Sequence, residues 1–275
     1  MRLIDDQRSS FERNGLWRTT IFSAIIVTPS LLALTITAGT PSASAFCVLT
    51  SSIKQIHVCT NKSCRKAGSR TTLDTFKALA PPNVDVIESG CQGKCGLGPN
   101  VLTKPTEEVY TGVSQPTTVA AIIEIDFAHA VPDALLGAFT SVPEGDVLYQ
   151  RGLHADALAC YNKCINTPGA FERNDHALSV AKVKQSSAMR MVANNVREGG
   201  AGAATSPATL EDAETAAREA IKLWPANTAA WLHLSDVLVD MGRVDEALEN
   251  LSALKTHVPE AKSAASEKAV RIRRG

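Results

Sequence analysis

Hydrophobic and polar positions divide the chain into three stretches with different periods. The first, residues 20–39 (TIFSAIIVTPSLLALTITAG), is uncharged and mostly apolar, and Arg2, Arg8, Arg13 and Arg18 precede it. The second, from Lys54 to about residue 127, mixes short alternating runs with helical stripes. Lys54–Cys59 (KQIHVC) alternates with period two and predicts a strand. Leu73, Phe76, Leu79 and Ala80 share one face of a helix that Thr71 or Thr72 would cap and Pro81-Pro82 would stop. Val84, Val86 and Ile87 predict a second strand running to Gly90. Residues 101–103 and 109–113 predict two more, joined by a turn over 104–108. Thr117 or Thr118 would cap a closing helix with Val119, Ile122 and Ile123 inward. The third stretch, from about residue 130, is alanine-rich and helical.

The order β-α-β-loop-β-β-α over 54–127 predicts a small sheet covered by helices, an α/β unit, followed by an all-α unit over 128–275. The helical unit repeats: Ala213, Ala217, Ala220 and Pro225 recur 34 residues later as Ala247, Leu251, Leu254 and Pro259. Between them Trp231, Leu234 and Leu238 stripe a first helix, Gly242 turns the chain, and Asp245-Glu246-Ala247 opens a second. Gly152–Ala157 (GLHADA) echoes Gly242–Ala247 (GRVDEA), with Tyr161 and Cys164 at the positions of Leu251 and Leu254. These features resemble the tetratricopeptide repeat, with one copy over 228–261 and the second helix of an earlier copy at 210–224. Residues 144–168 read as a degenerate first copy whose leading helix Pro143 would interrupt, with a helix at 176–197 stacked between. The resemblance implies a docking surface for protein partners. Such repeats bury a core only by stacking, so this short array is expected to lean on the α/β unit. The glycine-rich 199–207 (GGAGAATSP) reads as a flexible insertion.

Charge and composition narrow the function classes. The 275 residues carry 28 Lys+Arg against 28 Asp+Glu, so no global basic excess points to nucleic acid. No acid–base pair, nucleophile constellation or phosphate loop marks an enzyme. Seven cysteines, at 47, 59, 64, 91, 95, 160 and 164, cluster rather than spreading as a disulfide framework would.

Four of them suggest chemistry. Cys59-x4-Cys64 and Cys91-x3-Cys95 sit at the predicted loops, and two thiol pairs from separate loops can converge on a soft metal centre. Zinc, an iron–sulfur cluster and two structural disulfides are all compatible with the spacing. Gly93, Gly96 and Gly98 argue for the cluster, because bridging sulfides require backbone N–H donors brought close, and bare glycines permit that. With no C-x-x-C, thioredoxin-type dithiol catalysis is not expected. His57 reads as an ordinary strand residue, Cys160 and Cys164 as core thiols one helical turn apart, and the 271–274 tail as solvated. Lys62, Arg65, Lys66 and Lys94 surround the ligand positions in sequence.

The runs VCTNKSCRKAG (58–68) and GCQGKCGLGPNV (90–101), the strand at Tyr110–Val113 and the helix after Pro116 resemble the thioredoxin-like [2Fe-2S] ferredoxins. The resemblance implies a thioredoxin-like fold and one [2Fe-2S] cluster on Cys59, Cys64, Cys91 and Cys95. It also implies one-electron transfer without substrate chemistry. The plant-type ferredoxin spacing C-x4-C-x2-C is absent. Joined to the repeats, this predicts a cluster protein that exchanges electrons with, or senses redox state beside, a docked protein partner. The alternative is an assembly scaffold with a structural four-cysteine metal site.

The leading segment reads as an address. The apolar run ends in Ala43-Ser44-Ala45, small residues where a signal peptidase cuts; with Pro29 it reads as a signal peptide over 1–45 rather than an anchor. Ala43–Phe46 (ASAF) resembles the motif at this boundary in algae with complex plastids, diatoms among them, which implies a transit segment beginning at Phe46. Residues 46–53 are short for one, and Cys47 within them has no expected role in the site. Plastid import is the expectation, the secretory pathway the alternative, and no membrane span is expected after cleavage.

Overall fold

The computed structural model describes residues 53–198 and 208–274. The expected signal peptide over 1–45, the expected transit segment apart from Ile53, Cys47 and the expected insertion at 199–207 lie outside them. The described residues fall within a single unit spanning Thr50–Gly275.

Its first part is a four-stranded sheet. Strands β1 (Gln55–Cys59), β2 (Asp85–Ser89), β3 (Val101–Lys104) and β4 (Val109–Tyr110) lie in the order β2-β1-β3-β4. Between β1 and β2 come helices α1 (Lys62–Lys66) and α2 (Ser69–Leu79), and α3 (Pro116–Phe127) follows β4. The crossover lets β1 and β2 run parallel, with Gln55 opposite Asp85 and Cys59 opposite Ser89. Strand β3 pairs antiparallel with β1, Ile56 opposite Thr103, and β4 antiparallel with β3. Ile56 and Val58 of β1, Leu73, Phe76 and Leu79 of α2, and Ile122 and Ile123 of α3 join one buried cluster, as the alternation and stripes predict.

The boundaries differ from expectation in four places. Helix α1 is new: its residues KSCRK are polar except Cys64, the only one buried, so no hydrophobic period announces it. Helix α2 starts at Ser69 after Gly68, whose φ of 93° suits glycine, so Thr71 and Thr72 lie inside the helix rather than capping it. Buried Thr72 instead donates through Oγ1 to the Val113 carbonyl at 2.6 Å. Helix α3 starts at Pro116, not at a threonine cap; a first-turn proline costs no hydrogen bond. Strand β4 pairs only through Val109 and Tyr110.

The second part is helical throughout. Helices α4 (Asp133–Phe139), α5 (Val142–Gln150), α6 (His154–Ile165), α7 (Asp175–Arg197), α8 (Leu210–Leu223), α9 (Thr228–Asp240) and α10 (Val244–His257) are followed by a 3₁₀ turn, Pro259–Ala261, and α11 (Lys262–Arg274). The pairs α5/α6, α7/α8 and α9/α10 pack as successive hairpins, with α11 against the last. Gly152 and Gly242 turn the first and third pairs at φ 81° and 78°, which accounts for the sequence echo between them. Pro143 does not interrupt a helix: it lies in the first turn of α5, where its ring meets no preceding carbonyl. Ala213, Ala217, Ala220 and Ala247 are fully buried, and small residues let the helices close in. Serines bridge these contacts: Ser179 Oγ donates to the Ala220 carbonyl at 2.7 Å and Ser186 Oγ to the Ala213 carbonyl at 2.5 Å.

The helical array leans on the sheet. One apolar cluster runs without a break from Ile56 in β1 to Ala188 in α7. Inside the contact lies a polar node. Lys184 of α7 places Nζ 2.8 Å from Asp74 of α2 and 2.9 Å from Asp146 of α5. Tyr161 of α6 donates to Asp146 Oδ1 at 2.7 Å, and Thr71 of α2 donates to the other carboxylate oxygen. Burial alone would lower the Lys184 pKa, but Asp146 and then Asp74 override it and hold the ammonium charged. No helix among the described residues is long and apolar enough to cross a membrane.

Two predictions follow from this packing. Lys184→Met should leave Asp146 buried without its counter-charge, so urea denaturation is expected to show a loss of roughly 3–5 kcal/mol. The second concerns His233 of α9, which is buried and hydrogen-bonded through Nε2 to Ser186 Oγ at 2.9 Å. Desolvation, then Arg190, lowers its pKa to about 4 from 6.5. The unfolded chain binds the proton first, so this contribution is complete above pH 6.5 and is lost as pH falls towards 4, by about 3 kcal/mol in all. Denaturation midpoints measured from pH 7 to 4 should fall more steeply for the native chain than for His233→Gln.

Candidate metal centre

The four predicted ligands gather at one end of the sheet, and the topology explains why. Cys59 is the last residue of β1, and Cys91 follows the last residue of β2, Ser89, by two. These strands are parallel neighbours, so both cysteine-bearing loops leave from the same carboxyl edge, where open α/β sheets place their ligands. The edge is tied down: Cys59 N–H donates to the Asn100 carbonyl at 2.9 Å and Thr60 N–H to the Ser89 carbonyl at 3.0 Å. Cys64 comes back over the edge on α1.

The thiols stand as two pairs. Cys91 and Cys95 are exposed, with their Sγ atoms 3.2 Å apart. Cys59 and Cys64 are buried. Burial raises the Cys64 pKa, and so does a hydrogen bond to the Cys59 thiol, while the Asn100 backbone opposes both. Cys95 is raised, first by the Cys91 thiol. Cys91 is lowered, first by the Gly93 backbone N–H, then by Cys95, with Asn61 also contributing. The Cys59 thiol contributes to raising Cys95, so the pairs lie within electrostatic reach. All four are free thiols. Among the described residues, no three His, Cys, Asp or Glu side chains are grouped so as to hold a metal ion.

The three glycines divide into two roles. Gly93 and Gly96 take φ of 77° and 93°, and an added Cβ on either would meet no atom within 4 Å. Their left-handed backbone conformation by itself favours glycine there. Gly98 is the crowded one: a Cβ on it would lie 2.7 Å from Cys64 Sγ and 3.2 Å from Cys64 Cα. Side chains absent from the sequence reading hold the loop in place. Gln92 Nε2 donates to the His57 carbonyl at 2.7 Å and to Ser89 Oγ at 3.1 Å. Asn100 Nδ2 donates to the Lys94 carbonyl at 2.8 Å. Their only sequence signal is adjacency to the cysteines, since a hydrogen bond across 35 residues leaves no period.

Other candidates fall where expected. His57 Nε2 pairs with Gln55 Oε1 at 3.1 Å within β1, and burial, then Lys104, lowers its pKa. Cys164 is fully buried in α6, and burial pushes its thiol up to about 12; burial raises Cys160 as well. Both are packing thiols.

The tetratricopeptide repeat family model matches residues 209–267, from the cap of α8 into α11. No curated protein matches the chain. Residues 209–267 therefore carry a repeat of a type that binds proteins, and the match covers the α9/α10 hairpin with α8 before it and the start of α11 after it.

The Gly98 contact supplies a prediction. Gly98→Ala should displace Cys64 and cost roughly 1–3 kcal/mol, as overpacking does. Gly90→Ala is the control, because a Cβ there meets no atom within 4 Å. Thermal denaturation, together with alkylation rates of the Cys64 thiol, should separate the two variants.

Proposed function

We propose that Cys59, Cys64, Cys91 and Cys95 hold a [2Fe-2S] cluster on a thioredoxin-like unit, and that the repeats dock the protein with which it exchanges electrons. The observation that carries the reading is the two-by-two arrangement of thiols at the carboxyl edge of β1 and β2. A two-iron cluster takes two protein ligands on each iron, which pairs of thiols supply, whereas a single zinc ion needs all four around one point. Gly93 and Asn100 direct backbone N–H groups at Cys91 and Cys64, and such donors stabilise thiolate charge and tune potential. The tight approach of Gly98 to Cys64 fixes one ligand against the loop that carries two others.

When bound, the cluster supplies one reversible electron. The chain's own residues position it: Gln92 and Asn100 hold the loop, and exposed Cys91 and Cys95 give the edge that a partner reaches. The repeat match at 209–267 supports assigning partner docking to the helical half. A plastid stroma suits this chemistry, since an oxidising secretory space favours disulfides over cluster assembly.

The repeat match also favours a second reading, an assembly scaffold in which the cysteines hold a purely structural metal. One experiment separates the two. Protein purified without oxygen is expected to be coloured, with iron and acid-labile sulfide in equal amounts and a reversible one-electron reduction that leaves it folded. Cys91→Ala should lose both iron and sulfide. A colourless protein containing zinc, unfolding when the metal is chelated, would establish the scaffold reading instead.

A further inference from the structure

The segments that carry the cysteines have an unusual charge. Residues 54–73 and 89–106 contain no Asp and no Glu, in a chain whose charges balance as a whole. They bring Lys62, Arg65, Lys66, Arg70 and Lys94 to the surface, all exposed. Among the described residues none of these five forms an ion pair, whereas Lys182, Lys184, Arg190, Arg243 and Lys268 in the helical half all do. Arg65 and Lys94 directly adjoin Cys64 and Cys95 along the chain. Asn61, next to Lys62, reaches the Cys91 thiol, and the Lys94 backbone is gripped by Asn100. Arg65 is steadied by donating Nε to the Thr60 carbonyl at 3.2 Å. A cleft of about 440 Å³ opens between Lys62, Arg65 and Lys66.

Within this basic face stands one large apolar side chain, Leu97, which is 52% exposed. Its backbone is fixed at both ends: its N–H donates to the Lys94 carbonyl at 3.2 Å, and its carbonyl accepts from Gly112 N–H at 2.8 Å. Leu97 thus stands exposed two residues from Cys95 on a backbone hydrogen-bonded at both its N–H and its carbonyl.

We infer that this face docks an acidic protein surface, with an apolar spot against Leu97 and carboxylates against the surrounding cations. Complementary charge brings such a partner quickly to the Cys91–Cys95 edge and orients it there, while the small apolar contact allows release. The purpose of the docking rests on the cluster reading; the charge match does not. Nucleic acid is also anionic, but single strands are bound on aromatic platforms, and residues 54–73 and 89–106 contain no Phe, Trp or Tyr.

The test uses the full chain as purified and a fluorescein-labelled peptide of glutamates flanking one leucine, followed by anisotropy. Binding should weaken steeply with salt. The triple variant Lys62→Glu, Arg65→Glu, Lys94→Glu should bind on the order of tenfold more weakly or worse. Arg271→Glu with Arg273→Glu, at the far basic tail, should stay within about twofold of the parent. Circular dichroism of the triple variant should match the parent. Unchanged peptide affinity in the triple variant would overturn the inference. So would a single-stranded oligonucleotide of equal charge that binds more tightly than the peptide and is itself lost in the triple variant. Iron and sulfide are assayed on the same samples: their absence with charge-dependent peptide binding removes the cluster and keeps the docking face, and their presence with charge-independent binding does the reverse.

Discussion

The Lys184 ammonium is the point on which the two halves of the structure meet. It sits between Asp74 of α2 and Asp146 of α5, with Tyr161 of α6 and Thr71 of α2 completing the carboxylate's hydrogen bonds. A buried charge is tolerated only when it is paired and its partners are themselves satisfied. Here the satisfaction draws on four helices at once, so none can move without exposing a charge to an apolar surround. Apolar packing alone would let α7 slide on α2, because hydrophobic contact has no direction. The ion pair and its hydrogen bonds give the contact one geometry.

That contact reaches the cysteines. Helix α2, which carries Asp74 and Thr71, begins three residues beyond the end of α1, the helix that carries Cys64. Thr72 of the same helix fastens Val113 by 2.6 Å, and Val113 N–H donates to the Pro99 carbonyl at the end of the second cysteine loop. The site edge and the repeat region thus share a rigid element, and a protein held by the repeats is held in a fixed relation to the thiols. The two parts do not merely follow one another along the chain.

The regular features were legible from the chain itself. A period of 34 survives substitution because it is written many times over, in alanines, turn glycines and a proline. The placement of Cys59 and Cys91 at the ends of neighbouring strands was legible because the alternating runs stop at or beside them. What escaped were features whose meaning depends on a distant neighbour or on a boundary. Lys184 reads as any lysine on a helix until Asp74 and Asp146 are seen around it. Pro143 was misplaced because the same ring breaks a helix interior and suits a first turn. Thr71 and Thr72 looked like caps, but Gly68, one turn earlier, already starts the helix. Gly93 and Gly96 carry a requirement that the sequence does not display, backbone φ of 77° and 93°.

The register of β1 has a further consequence. Cys59 lies opposite Ser89 in the ladder, while Ile56 and Val58 face the core. A slip of one residue would turn the buried pair outward and move the Cys59 thiol to the other face of the sheet, away from Cys64 and the second loop. Only the correctly paired sheet sends both cysteine-bearing loops out from one edge. One register thus decides two things at once, which face of the sheet is apolar and which residues leave its carboxyl edge, so a misaligned chain loses its core and its cysteine-bearing edge together.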